Sequence, residues 1–256
     1  MDEITARQDV VDCCRRMHDR GLISGGEGNV SVRLGRNRIL VTPSGLNKGF
    51  LRTVDLVVVD LEGHLVKGRG SPSSEVKVHL AAYRVREDCG AVIHAHPPTA
   101  VAFTIAGLSL AQCVVPESII TLGEVPTAPY ATPSTDELAF QVEGLFDCHD
   151  VVMMDRHGSV TLGRDVMEAY DRLESLEHTA RITYMARTLG AVRPLPDKEI
   201  QRLRAMAEAM GRETRFRSCK GCNVCGPLGC GSSPDTDDSL ISEVVRQVRE
   251  KLESGR

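Results

Sequence analysis

Apolar positions recur along the chain in two rhythms. From about Thr5 to Arg20 they fall at Val10, Val11, Cys14 and Met17, a helical spacing that Gly21 can end by turning left-handed. Val30 to Leu34, Arg38 to Thr42 and Leu56 to Asp60 read as strands, with Gly63 in a turn and Gly68 to Pro72 as a loop. Helical spacing returns after Ser73-Ser74, at Val76, His79, Leu80 and Tyr83. An apolar strand begins at Val92, and a short helix follows over Thr99 to Ile105. Ser118 to Gly123 and a strand edge at Pro126 to Tyr130 come next. Ser134-Thr135-Asp136-Glu137 has the form of a capping box and opens a helix through about Leu145. A buried strand from Val151 runs onto His157 and Gly158. Asp165-Val166-Met167-Glu168 repeats the capping form and opens a long helix to Leu189, which Gly190 stops. Pro196-Asp197 starts another, to about Met210.

Composition sharpens this picture. With 256 residues and 41% hydrophobic content the chain suits one sizeable domain plus an appendage. No Trp, 5 Phe and 4 Tyr leave the core to aliphatic side chains. A net charge of -4 with both signs interspersed argues against a nucleic-acid surface, so basic loop residues are expected to meet one small anionic substrate. No apolar run approaches the ~20 residues of a membrane span and no signal peptide opens the chain, which predicts a cytoplasmic protein away from any membrane. Cys13, Cys14, Cys89, Cys113 and Cys148 then read as reduced, small buried hydrophobes.

The chemistry concentrates at Val92 to Pro97, where His94 and His96 stand at alternate positions of an apolar run. Residues i and i+2 share one face of a strand, close enough to chelate one ion. By itself such a pair also reads as surface or core histidines. Glu75 upstream and His157 downstream add a carboxylate and a third imidazole, a donor set that suits zinc or another divalent metal. Around them lie two turns, Ser24 to Asn29 and Pro43-Ser44-Gly45, and the serines that precede the Val76 helix. Backbone amides and hydroxyls there can hold an anion, or can simply make tight turns and caps.

These pieces occur in one order: Gly28-Asn29-Val30-Ser31, Thr42-Pro43-Ser44-Gly45, Ser73-Ser74-Glu75, His94-Ala95-His96, Ala128-Pro129-Tyr130 and His157-Gly158. In that order and spacing the chain resembles the class II aldolase/adducin family, and within it the L-fuculose-phosphate aldolases, over most of residues 1 to 193. The resemblance implies an α/β fold, three-layer α/β/α around a central, mostly antiparallel sheet. It also implies a homotetramer with zinc-dependent sites near subunit interfaces.

For a phosphorylated sugar substrate, L-fuculose 1-phosphate or L-rhamnulose 1-phosphate, cleavage between C3 and C4 leaves negative charge on the fragment that becomes dihydroxyacetone phosphate, with L-lactaldehyde as the other product. A chelated divalent ion can hold such an enediolate as a Lewis acid. His94, His96 and His157 fit as metal ligands, and Glu75 as acid/base at C3; the resemblance makes Glu75 a ligand of the resting metal too. Gly28, Asn29, Ser44, Gly45, Ser73 and Ser74 fit around the phosphate. The chain departs from the family at Val115, where the fuculose-phosphate aldolases carry a proton-donating tyrosine that crosses a subunit interface. A second tyrosine, in their C-terminal tail, also lacks a counterpart. Glu117 can take the proton-transfer role, or Pro116-Glu117 can be a structural corner. Competing readings are a pentulose-phosphate 4-epimerase, disfavoured by Glu75 where those enzymes resemble this stretch with aspartate, and another phosphorylated pentulose aldolase or dehydratase. An adducin-like scaffold is the non-enzymatic alternative.

Residues 1–216 thus form the expected catalytic domain, 217–236 a Cys-rich flexible linker and 237–256 an amphipathic helix. Cys219, Cys222, Cys225 and Cys230 can hold a second metal, zinc or an iron-sulfur cluster, or serve a redox-sensitive linker. Beyond them Leu240, Ile241, Val244, Val245, Val248 and Leu252 form an apolar stripe. The stripe resembles the peptides that deliver enzymes into a bacterial microcompartment by binding a shell protein; packing on the tetramer is the other reading.

Overall fold

A computed structural model describes residues 2–110 and 113–210. The first helix, α1 (Glu3–Asp19), starts where the Asp2 carboxylate accepts the Ile4 and Thr5 amides, and Gly21 leaves it at φ 67. Then follow β1 (Asn29–Gly35), β2 (Arg38–Val41), β3 (Val57–Val59), β4 (Leu65–Lys67), α2 (Val76–Val85), β5 (Ala91–Ala95) and α3 (Pro98–Ile105). The chain continues through α4 (Pro116–Leu122), β6 (Thr127–Ala128), α5 (Asp136–Phe146), β7 (Val151–Met154), β8 (Gly158–Gly163), α6 (Val166–Leu189) and α7 (Asp197–Ala209).

The strands make one eight-stranded sheet in the order β4-β3-β2-β1-β5-β8-β7-β6. Every pairing is antiparallel except β6 with β7. Period-two alternation sorts the side chains into two cores. Ile39, Val41, Val57, Val59, Val92 and Val160 pack with α2 and α5 on one face. Val30, Val32, Leu40, Val58, Ala91 and Ile93 pack with α1 and α6 on the other, and α3 joins that side through Phe103. Helices on both faces of a mostly antiparallel sheet give the three-layer α/β/α fold. The alternation sets the site as well: with Val92 facing α2, His94 must face it too.

Several local expectations change. The strand from Val151 stops at Met154, so His157 lies in a hairpin turn, and β8, not expected from the sequence, continues the sheet. The strand β4 at the sheet edge was also not expected. Ser134 does not cap α5; it takes φ 66, Thr135 caps instead, and the Ser134 hydroxyl donates to Ser74 Oγ at 3.1 Å. At α6 the Asp165 cap holds, but Glu168 accepts from the Arg164 amide rather than closing the box on Asp165. Cys13, Cys14, Cys89 and Cys113 are buried as expected, while Cys148 is half-buried. The cysteine cluster and the C-terminal stripe lie outside the described residues.

Candidate metal centre

Three segments bring the imidazoles together. His94 sits one residue before the end of β5, in register with Asn29 on β1 and Val160 on β8. Its Nδ1–H donates to the Ser159 carbonyl at 3.0 Å, which turns Nε2 away from β8. His96 lies just past the strand, where its backbone amide donates to the Leu22 carbonyl at 3.0 Å. Its Nε2 comes to 3.0 Å from His94 Nε2. His157 arrives from the β7–β8 hairpin, after Arg156 at φ 57, whose amide donates to Thr104 Oγ1 on α3. The fourth group is Glu75, which ends the serine turn and stands at the N-cap of α2. Its Oε2 is 2.9 Å from His94 Nε2 and its Oε1 3.1 Å from His157 Nε2. One ligand atom from each of the four lies within 4.8 Å of the others.

This donor set fits a divalent cation. The Ser159 carbonyl takes the His94 Nδ1–H, so Nε2 is the ring atom that faces the carboxylate and the other imidazoles, the position of a metal ligand. Burial would push the Glu75 carboxyl up, but the contacts with His157 and His94 outweigh it and hold the group well below the usual carboxylate range. His96 is pushed down to about 3, by burial first and then by His94 and His157, so its ring is neutral and ligand-competent. The cradle admits no side chain at Gly158, where a Cβ would stand 2.4 Å from the Ala95 carbonyl oxygen and 2.8 Å from His96 Cδ2.

The six residues expected around the phosphate gather at the same end of the sheet. Gly28 leads into Asn29 at the start of β1 beside His94; it takes φ 68, and a Cβ there would also meet Ile23 and the His94 carbonyl. A bridge between Pro43 and Pro72 lays the Ser44-Gly45 turn against Ser73-Ser74, with the Ser73 amide donating to the Thr42 carbonyl at 3.2 Å. Ser44, Gly45 and Ser74 are exposed, whereas Asn29 and Ser73 are buried. Asn29 Oδ1 is a buried acceptor with no partner. Glu117 is not part of this cluster. It is exposed in the first turn of α4, which packs on α6 and α7.

Three supporting residues carried no signal in the sequence. Glu27, in the first turn, reaches 3.4 Å from His96 Nδ1 and so orients that ring. Glu177 of α6 accepts the Thr99 and Ala100 amides, fixing the start of α3 directly after His96-Pro97. His79, expected as an apolar helix position, is a wholly buried polar group 2.6 Å from Ser31 Oγ, which in turn meets the Tyr83 hydroxyl at 2.9 Å. Burial and the nearby His94 push the His79 ring down to about 3, so it stays neutral.

Comparison with known proteins identifies relatives of this fold. Residues 8–184 match the model of the class II aldolase and adducin N-terminal domain. An L-fuculose phosphate aldolase from Methanococcus maripaludis is 36% identical over 180 residues, 70% of this chain and 96% of that protein. A 3-oxo-tetronate 4-phosphate decarboxylase from Haemophilus influenzae is 31% identical over 207 residues, 79% of this chain and 98% of that protein. The crystal structure of YgbL from Klebsiella pneumoniae superposes with a TM-score of 0.74 at 32% identity, covering 80% of this chain and 100% of that one. With the four-ligand cluster in place on this fold, the chain belongs to the class II aldolase and adducin family, as one of its metal-dependent lyases.

Proposed function

We propose that the enzyme cleaves a deoxy-ketose 1-phosphate, L-fuculose 1-phosphate and/or L-rhamnulose 1-phosphate, to dihydroxyacetone phosphate and L-lactaldehyde. The observation that carries this reading is the Glu75 carboxylate, set between His94 and His157 at the end of the Ser73-Ser74 turn. A divalent cation, zinc by the preference of imidazole, would be held by His94, His96, His157 and the resting Glu75, and would supply Lewis-acid stabilisation of the charge left at C2 and C3. Gly28, Asn29, Ser44, Gly45, Ser73 and Ser74 bind the phosphate and thereby orient the C3–C4 bond. As that bond breaks, its electron pair stays on the C3 fragment and C4 becomes the aldehyde carbon. Glu75, ionised at rest, would take up a proton from solvent once substrate displaces it from the ligand set and deliver that proton to C3. Glu117 is assigned the C4 hydroxyl proton, from a neighbouring copy in a homotetramer, in place of the tyrosine missing at Val115.

The decarboxylase relative favours a second reading, since losing CO2 beside a carbonyl leaves the same kind of charge and also requires a proton at carbon. A panel of phosphorylated ketoses and 3-oxo acids, followed for dihydroxyacetone phosphate and for CO2, separates the two. Release of CO2 alone would overturn the aldol assignment. The intact ligand set speaks against a scaffold role, which has no use for three imidazoles around a carboxylate. The reading of the C-terminal helix is that it adds nothing to turnover: a chain lacking about Asp237 to Ser254 retains it, while the stripe expected to bind a shell protein goes with the deleted part.

A further inference from the structure

Lys48 is 2% exposed, among the most buried charged residues of the described chain. It opens a single 3-10 turn, Lys48–Phe50, directly after the Pro43-Ser44-Gly45 turn. Its Nζ donates to the carbonyls of Gly26 at 3.0 Å and Leu46 at 2.8 Å, and its amide donates to the Gly25 carbonyl at 3.3 Å. One side chain therefore ties together the two glycine turns that flank the candidate phosphate position. Those contacts use two of the three ammonium hydrogens and involve neutral acceptors only. Among the described residues, Lys48 forms no ion pair with a carboxylate, and the ionisable group that it senses is Cys14. Burial pushes the Cys14 thiol up to about 12, so it brings no negative charge. Burial likewise pulls the Lys48 ammonium below its ordinary value. An ammonium taken out of water without an anion is strongly disfavoured, so a fold that buries one between two turns against neutral acceptors only lacks the matching charge.

We propose that Lys48 is a positioning residue whose ammonium staples the Gly25-Gly26 and Ser44–Asn47 turns and supplies the fixed positive charge that makes them selective for a phosphate monoester. This rests on the phosphate position assigned under the proposed function. Lys48 acts through the two turns, so it governs how tightly the anionic end is held and leaves the proton transfers at C3 and C4 to Glu75 and Glu117.

The test uses the full-length, metal-loaded enzyme and inorganic phosphate as probe, by titration calorimetry at neutral pH. Lys48→Met keeps the buried stem and removes the charge; phosphate affinity is expected to fall about tenfold or more, the size of one charge-assisted interaction. Metal content should not change. For the sugar phosphate, KM should rise by a similar factor while kcat stays within about twofold, the signature of lost uniform binding. Lys48→Arg should recover part of the loss. Where Lys48→Met does not fold, Lys48→Gln carries the same test. A folded, metal-replete Lys48→Met or Lys48→Gln enzyme that binds phosphate as tightly as the parent overturns the proposal. If Ser74→Ala weakens phosphate and the Lys48 variants do not, the phosphate position stands and this inference alone falls. If the parent itself binds neither inorganic phosphate nor a sugar phosphate, the underlying assignment fails and takes the inference with it.

Discussion

Nε2 of His94 lies 2.9 Å from Oε2 of Glu75, joining the sheet to the N-cap of α2. Since the other His94 nitrogen is committed to Ser159, Nε2 is the ring atom left to face a cation. His94→Ala should therefore lose metal and turnover together, as metal analysis and rate measurement on one preparation will show. Full metal content in a variant lacking His94, His96 and His157 would refute the site.

Glu75→Gln keeps the size of the side chain but cannot exchange the C3 proton. Turnover is expected to fall ~100-fold or more, the usual contribution of a general acid/base group, with phosphate binding retained. Near-normal turnover would move the proton transfer elsewhere, and Glu117→Gln is the next variant to assay.

Gly158→Ala places a methyl group 2.4 Å from the Ala95 carbonyl oxygen and 2.9 Å from His94 Cε1. The hairpin must shift and carry His157 with it. Metal affinity, measured by competition with a chelator, should fall by about tenfold or more, since second-sphere changes commonly cost that much. Unchanged affinity would mean that the hairpin relaxes without moving His157.

Glu177 holds the α3 amides that follow His96-Pro97. Glu177→Ala removes that cap and should cost about 1–2 kcal/mol in unfolding free energy, with Glu177→Gln in between. If Glu177 also positions His96, metal affinity drops in the same order. Lost stability at constant metal affinity would confine its role to α3.

Glu3 pairs with Arg7 on α1, Arg38 on β2 and Lys67 on β4. The hydrogen bond from Lys67 is the largest influence, and with Arg7 it pulls the Glu3 carboxyl down to about 2. A pKa lowered on folding means stabilisation that is complete above the unfolded value near 4.5 and is lost as pH falls toward 2. Glu3→Gln should thus be less stable by about 1 kcal/mol at neutral pH, allowing for solvent around the group, and match the parent near pH 2. A difference that does not shrink between these limits would assign the effect to packing.

Much of the site was legible before folding. His94-Ala95-His96, Ser73-Ser74-Glu75 and Gly28-Asn29 announce donor types and turn chemistry by local spacing, α6 declares its cap and its stop, and α1 its stop. The strand β8 was hidden because Ser159 and Thr161 are polar yet fully buried; Thr161 pairs its hydroxyl with the Ala169 carbonyl and so does not look like core. At β4 the difficulty was the opposite: three exposed residues at a sheet edge carry little apolar pattern.

What the sequence by itself determined was the set of candidate metal donors and the face of β5 on which His94 falls, since both follow from residue type and strand period. Only the tertiary structure decided that Glu75 meets His94 and His157, that Glu27 reaches His96, that Glu177 caps the start of α3, and that Lys48 joins two turns. Those relationships depend on the register of Asn29 with His94 and of His94 with Val160, and on how α2, α3 and α6 seat against the sheet. Local spacing encodes the period of a strand or helix, whereas hydrogen-bond register and helix seating are set by contacts between segments remote in the chain.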